Sequence, residues 1–355
     1  MSKAAELASL ASASETALSN RNIVINGAMQ VSQRATSATA LGGATSYPTC
    51  DRWNLQGSSA GRLTMTQTAD GPSGFANCIK LDCTTADTSV DAGEYLILRQ
   101  LFEGQNLQRI KKGTSAAEQI TVSFYVKASG AFNFILELFD RDNFRGVSKL
   151  YATTTDWVRH EITFPADTTG AFGDDNANSM DLAFWLHSGS QYSSGTLQTS
   201  WVSNTNANRA AGIGSFYSST NNEFFITGVQ MEVGPVATPF EHRSYGQELA
   251  LCSRYYTDIV RADNNTAHLI GYTQTASVAR FGFHVPMRAA PTIVETNFMV
   301  LHAGGSEEAI TSVDDISQDN QFVSFRGNVS ANLTEGQAVA LYSAGAATLT
   351  FDSEI

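Results

Sequence analysis

The chain has 355 residues, of which 42% are hydrophobic and only 16% charged, with a net charge of −12. Ser, Thr, Asn, Gln, Ala and Gly replace the missing charge, a surface that suits extracellular β proteins and repetitive assemblies but is too hydrophobic for a disordered chain. The acidic excess excludes nucleic acid as a partner, because phosphate recognition needs clustered Lys and Arg, and the one basic run is Arg109, Lys111 and Lys112.

In chain order, Lys3 to Leu18 is Ala-rich, with Leu7, Leu10 and Ala11 at helical spacing. This predicts a short helix within residues 1–19, too weak to stand alone and ordered by docking on a neighbour, as an attachment or trimerisation element would be. No apolar signal core and no spanning-length apolar run is present, so synthesis and folding in a cytosol without membrane insertion are expected.

From Asn20 the pattern switches to period two, broken by Gly, Ser, Asn and Asp. The early candidate strands are 22–26, 29–33, 52–56, 63–68, 77–83 and 94–102. Ile120, Val122, Phe124 and Val126 then share one face, as do Phe132, Phe134, Leu136 and Leu138. Val158, His160, Ile162 and Phe164 form a third such set. Leu182, Phe184 and Leu186 form a fourth, with Trp185 and His187 opposite. Phe224, Ile226 and Val229 start another strand, with Gly228 as a bulge.

Short strands without a βα alternation predict an all-β protein, with a jelly-roll-like β-sandwich over residues 20–245. Residues 246–256 read as a short linking helix. A second, smaller β-sandwich domain then covers residues 257–355, marked by 278–285, the Pro286–Pro291 turn, 322–325 and 338–342.

Cys50, Cys78, Cys83 and Cys252 are too scattered for a disulfide framework and read as packed thiols. The six histidines are dispersed, so spacing alone identifies no metal cluster. Gly57-Ser58-Ser59-Ala60-Gly61 matches the nucleophile-elbow pattern, but a strand-like segment follows where a helix is required, so it reads as a turn. No further catalytic motif is present, and no enzymatic activity is expected.

Several phrases carry a resemblance. One is Asn20-Arg21-Asn22-Ile23-Val24-Ile25-Asn26-Gly27-Ala28-Met29-Gln30-Val31-Ser32-Gln33-Arg34, followed by Cys50-Asp51-Arg52-Trp53. Another is Phe225-Ile226-Thr227-Gly228-Val229-Gln230-Met231-Glu232-Val233-Gly234, followed by Ala237 to Glu241 and Glu248 to Tyr256. Over residues 20–256 the chain resembles a family of tailed-bacteriophage tail-fibre or spike proteins carrying a carbohydrate-binding-module-like jelly roll, of the marine and cyanophage type. The resemblance implies a homotrimeric virion appendage that is assembled in the host cytoplasm, joins other phage virion proteins through its N-terminal segment and adheres to host-surface glycan. It implies no catalytic residues.

A sugar site needs an aromatic platform beside amide and carboxylate groups. Trp185 and His187, with Asn133 and Glu137 on the neighbouring candidate strand, would line the open side of a sheet. Tyr192 and Trp201, in a Ser/Thr/Asn-rich loop, are further candidates. Asp167, Asp174, Asp175, Asn176 and Asp181 supply hard oxygen ligands by which Ca2+ would staple one loop; otherwise no cofactor is expected. The alternative functions are a head decoration, head-fibre or fibre-connector protein without a glycan site and, ranked below it, a polysaccharide depolymerase.

Overall fold

The computed structural model describes residues 20–262, 266–284, 287–302, 305–318 and 322–355, together with Lys3. The expected helix over residues 1–19, Lys3 apart, and Pro286 of the expected turn lie outside the described residues.

Period-two alternation becomes antiparallel pairing from Ser37 onward, and the protein is an all-β sandwich. Numbering strands in chain order, a six-stranded sheet holds β1 (Ser37–Leu41), β4 (Arg62–Thr68), β5 (Cys78–Thr85), β7 (Ile120–Ala128), β10 (Val158–Phe164) and β13 (Glu223–Val233). Its order is β1-β4-β5-β13-β7-β10. A seven-stranded sheet holds β2 (Thr45–Ser46), β3 (Asn54–Ser58), β6 (Tyr95–Glu103), β8 (Asn133–Asp140), β9 (Arg145–Ala152), β11 (Asn178–Ser188) and β12 (Val202–Ser203), ordered β12-β9-β8-β11-β6-β3-β2. The chain passes repeatedly between the sheets, from β6 to β7, β7 to β8, β9 to β10 and β10 to β11, which makes the sandwich jelly-roll-like.

The inward faces form one continuous core. Phe124 of β7 meets Phe184 of β11 edge-on at 5.1 Å, and Phe134 of β8 meets Phe224 of β13 at 5.6 Å, so aromatic pairs stitch one sheet to the other. Each such ring contributes roughly 1.5–3 kcal/mol by leaving water. His160 shares the inward face as its spacing predicts, stacking on Phe124 at 5.4 Å. Gly228 sits at φ +61 where the β13–β7 register shifts, so the expected bulge is present.

Two expected strands do not form. Residues 22–26 and 29–33 are irregular, because Asn26 and Met29 adopt left-handed φ values of 58° and 56°. Side-chain amides take the place of a ladder there. Asn26 Oδ1 accepts from Val31 N at 3.0 Å, Asn26 Nδ2 donates to Val31 O at 2.8 Å, and Gln100 Oε1 accepts from Ile25 N at 2.8 Å.

This opening segment is held by the closing one. Glu241 Oε2 accepts from Asn22 N at 2.8 Å, Glu248 Oε1 accepts from Asn26 N at 2.5 Å, and Arg243 Nη1 donates to Val24 O at 3.0 Å. The phrases that carry the family resemblance are therefore two halves of one structural lock, consistent with their fixing the fold. Trp53 is fully buried beside them and donates its indole N–H to Asn26 O.

The chain divides into two compact units, one ending at Glu248 and taking in Ile355, the other Leu249–Glu354. The first also contains a one-turn helix, α1 (Ser190–Ser193), and the division falls within α2 (Tyr245–Ser253). The second unit comprises β14 (Tyr256–Ala262), β15 (Thr266–Thr275), β16 (Val278–His284), β17 (Thr292–His302), β18 (Ser306–Ala309), β19 (Ser312–Gln318), β20 (Phe322–Asn328) and β21 (Ala338–Asp352). Strand β21 is its spine, with β17 along one edge and β15 and β14 sharing the other. Phe281, Phe298, Phe325, Leu341 and Phe351 form a core of its own.

Candidate functional site

Strands β3, β6, β8 and β11 present a second set of side chains on the outer face of the seven-stranded sheet. Because Leu182, Phe184 and Leu186 point inward, Asp181, Ala183 and Trp185 point outward; Ile97 and Arg99 of β6 and Ile135 and Glu137 of β8 join them. The segment after β11, residues 189–214, crosses this face. Tyr192, Leu197, Ala210 and Ile213 pack there on Ile97, Ile135 and Trp185, making a small second core.

Between that cover and the strands lies a cleft of about 110 Å³ lined by Gln56, Tyr95, Ile97, Arg99, Arg141, Asp181, Ala183, Trp185, Tyr192 and Arg209. Three aromatic rings cluster within it. Tyr192 lies 5.3 Å from Trp185 and 5.6 Å from Tyr95, nearly perpendicular to the latter. Tyr95 and Tyr192 are half-buried, whereas Trp185 is 1% exposed.

Charge in the cleft is organised around two buried carboxylates. Glu137 Oε2 accepts from the Trp185 indole at 2.8 Å, and Arg209 grips both its oxygens at 2.8 and 2.7 Å. The Arg209 guanidinium also stands over the rings of Trp185 and Phe139 at 4.8 and 4.6 Å. Asp181 Oδ2 accepts from Arg99 Nη1 at 3.0 Å and from the Arg141 guanidinium, and Arg99 Nε donates to Asn54 Oδ1 at 2.9 Å. Three guanidiniums against two carboxylates leave one excess positive charge.

Of the six residues expected to contact sugar, Tyr192 and Trp185 line the cleft. The open sheet face expected for Trp185, His187 and Glu137 is corrected: they are 1%, 0% and 0% exposed, because residues 189–214 cover Trp185 and Glu137 while Ser215, Tyr217 and the loop before β6 enclose His187. Trp201 is likewise packed, donating to Pro165 O at 2.8 Å. Asn133 is exposed at the start of β8, outside the cleft lining. The lining residues that sequence reasoning missed, Gln56, Tyr95, Arg99, Arg141 and Arg209, come from four separate stretches, and only their outward phase on strands, for Gln56, Tyr95 and Arg99, was legible.

The expected calcium-binding residues are not brought together. Asp181 belongs to the arginine cluster, and Asp174, Asp175 and Asn176 are exposed. The cation held beside Asp167 is the buried Lys112 ammonium. It meets Asp140 Oδ2 at 2.5 Å, Asp167 Oδ2 at 3.0 Å and the carbonyls of Thr169 and Gly170 at 2.8 Å each. Arg145 clamps the same Asp167 at 2.8 and 3.1 Å. The Gly57–Gly61 stretch joins β3 to β4 with no helix after it, so it is not a nucleophile elbow.

No protein-family model and no curated protein matches the chain. Solved structures similar to the chain include a CBM4 module, at 11% identity over 59% of this chain and 97% of that one, with a TM-score of 0.31. The family 11 carbohydrate-binding module of the cellulosomal cellulase Lic26A-Cel5E of Clostridium thermocellum aligns at 10% identity over 53% of this chain and 90% of its own, TM-score 0.29. The enzymatically active domain of tailspike protein 4 of bacteriophage CBA120 aligns at 10% identity over 60% of this chain and 21% of its own, TM-score 0.29. These superpositions are loose, and the reading of the cleft rests on its own geometry.

Proposed function

We propose that the chain is a non-enzymatic virion subunit of a tailed phage, a homotrimeric fibre or spike protein that holds host-surface carbohydrate in the cleft of the seven-stranded sheet. The observation that supports this most is the pairing of half-buried Tyr95 and Tyr192 with Gln56 and three guanidiniums in one concavity. Aromatic faces pack against apolar sugar edges, while amide and guanidinium N–H groups donate to hydroxyl and acid oxygens. The excess positive charge favours a glycan bearing a carboxylate or sulfate.

A binding role fits the carboxylates better than catalysis does. Glycoside cleavage needs a free acid and a free base or nucleophile, whereas Arg209 and Trp185 occupy Glu137, and Arg99 and Arg141 occupy Asp181. The cover formed by residues 189–214 favours a second reading, a fibre-connector or decoration subunit in which the aromatics serve packing alone.

The test is binding of purified protein of known mass to intact host cells and to a glycan array that includes uronic and sulfated sugars. Tyr95→Ala and Tyr192→Ala are expected to weaken saturable binding by about tenfold or more, as loss of a central aromatic anchor does. A folded wild type that binds neither cells nor array overturns the adhesin reading in favour of the structural one.

A further inference from the structure

Outside the cleft, the far end of β11 meets the loop before β6. There Asp87, Glu94 and His187 each point one ligand atom at the others, and all three atoms lie within 4.8 Å of one another. His187 is fully buried, and its Nε2 lies 3.8 Å from Glu94 Oε2, too far for a hydrogen bond. That nitrogen has no hydrogen-bond partner. A buried polar atom without a partner costs about 1–3 kcal/mol, so its persistence calls for a ligand.

The rest of the arrangement prepares the imidazole for a metal. His187 Nδ1 pairs with Ser215 Oγ at 2.8 Å, and the Tyr217 ring packs edge-on at 5.3 Å, fixing the plane of the ring. With Nδ1–H donating to Ser215, Nε2 presents a lone pair to the two carboxylates, as in metal sites where an outer partner sets the tautomer. The carboxylates are also oriented. Asp87 Oδ2 accepts from Ser59 Oγ at 2.8 Å, and Glu94 Oε1 and Oε2 accept from Ala60 N and Asp91 N, each at 3.2 Å.

Among the described residues no lysine or arginine forms an ion pair with Asp87 or Glu94, whereas Glu137 and Asp140 in the same unit each have one and Asp167 and Asp181 each have two. The two carboxylates and the imidazole lone pair thus converge in one enclosed place.

We propose that Asp87, Glu94 and His187 form a binding site for one divalent transition-metal ion of the zinc class, held by His187 Nε2 and one oxygen from each carboxylate. The nitrogen ligand selects zinc-like ions over Ca2+ and Mg2+, which prefer all-oxygen shells. Ligands at roughly 2.0–2.2 Å from zinc stand about 3–4 Å apart, so closure needs side-chain movement of about 1 Å, and water fills the fourth position. The ion would tie the loop before β6 to the end of β11. Ala92 O of that loop already accepts from Gln191 N of α1 at 2.9 Å, next to Tyr192.

The experiment uses the full chain stripped by chelator and titrated with ZnCl2, CaCl2 and MgCl2, reading stoichiometry by calorimetry and Tm by scanning. One equivalent of Zn2+ is expected to bind, with a rise in Tm that EDTA reverses. Asp87→Asn and Glu94→Gln keep the side-chain volumes, should fold because they reduce like-charge crowding, and should weaken Zn2+ binding at least tenfold. A folded wild type that takes up no stoichiometric Zn2+, or that prefers Ca2+, overturns the proposal. So does unchanged Zn2+ affinity in both amide variants.

Discussion

At the scale of single residues, several ionic groups are buried in this sandwich together with the partners that neutralise them. Glu137 is fully buried yet holds four donors within hydrogen-bonding distance, from Trp185, Gln198 and Arg209. Removing its charge would leave Arg209 largely enclosed and unpaired. We expect Glu137→Gln to cost about 3–5 kcal/mol in urea unfolding, whereas the exposed Asp174→Asn should change stability by less than about 0.5 kcal/mol. Asp167 shows the same logic through pH. Burial raises its pKa, but hydrogen bonds from Arg145 and Lys112 outweigh that, so it lies below the ordinary 3.8 in the folded chain. A depressed carboxyl contributes stability that is complete above the unfolded value and is lost as pH falls through the folded one. As pH falls below about 4 the wild type should therefore lose stability more steeply than Asp167→Asn, as followed by denaturant titrations at each pH. The four cysteines form no disulfide and are all buried, and burial pushes Cys78 and Cys83 up to about 11. Native protein should accordingly react slowly with a thiol reagent, and addition of denaturant should release all four.

At the scale of elements, the bulge in β13 shows how one glycine sets a strand's path. At φ +61, Gly228 occupies a backbone region that costs other residues about 1–2 kcal/mol, and an added Cβ would lie 2.7 Å from Phe75 Cζ and 2.9 Å from Tyr125 Cδ2. We expect Gly228→Ala to destabilise the sandwich by about 2 kcal/mol or more in thermal or urea unfolding, and Gly234→Ala, with open space around its Cβ position, to cost less. Strand periodicity marked Phe134, Leu136 and Leu138 as inward and Glu137 as outward, and the core bears this out. It could not show that residues 189–214 return over the outward face. Alternation reports which side a residue faces, not whether that side meets water or another stretch of chain. That is why Trp185 and Glu137 read as exposed and are buried.

At the scale of the whole molecule, two units each have their own hydrophobic core. Independent cores generally unfold as separate cooperative events. Scanning calorimetry should therefore resolve two transitions, and Phe325→Ala, which empties part of the smaller core, should lower the Tm of one and leave the other in place. A single transition shifted as a whole by that substitution would show that the two units unfold as one.

The order of side chains along the chain was enough to define the all-β class, the inward faces of β7, β8, β10 and β11, and the bulge at Gly228, because these depend on period-two spacing and on backbone freedom at one position. Tertiary structure alone decided the rest. The opening segment became irregular because its own Asn26 amide and the distant Gln100 amide replaced its ladder. Lys112 reached Asp167 and Asp140, where oxygen-rich sequence had suggested calcium. His187 found Asp87 and Glu94, which lie about a hundred residues upstream and seven residues from each other. Hydrogen bonds and ion pairs between residues far apart leave no periodic mark on a sequence, so the cleft exists only once residues 189–214 lie over the seven-stranded sheet, and the histidine–carboxylate cluster only once the loop before β6 meets the end of β11.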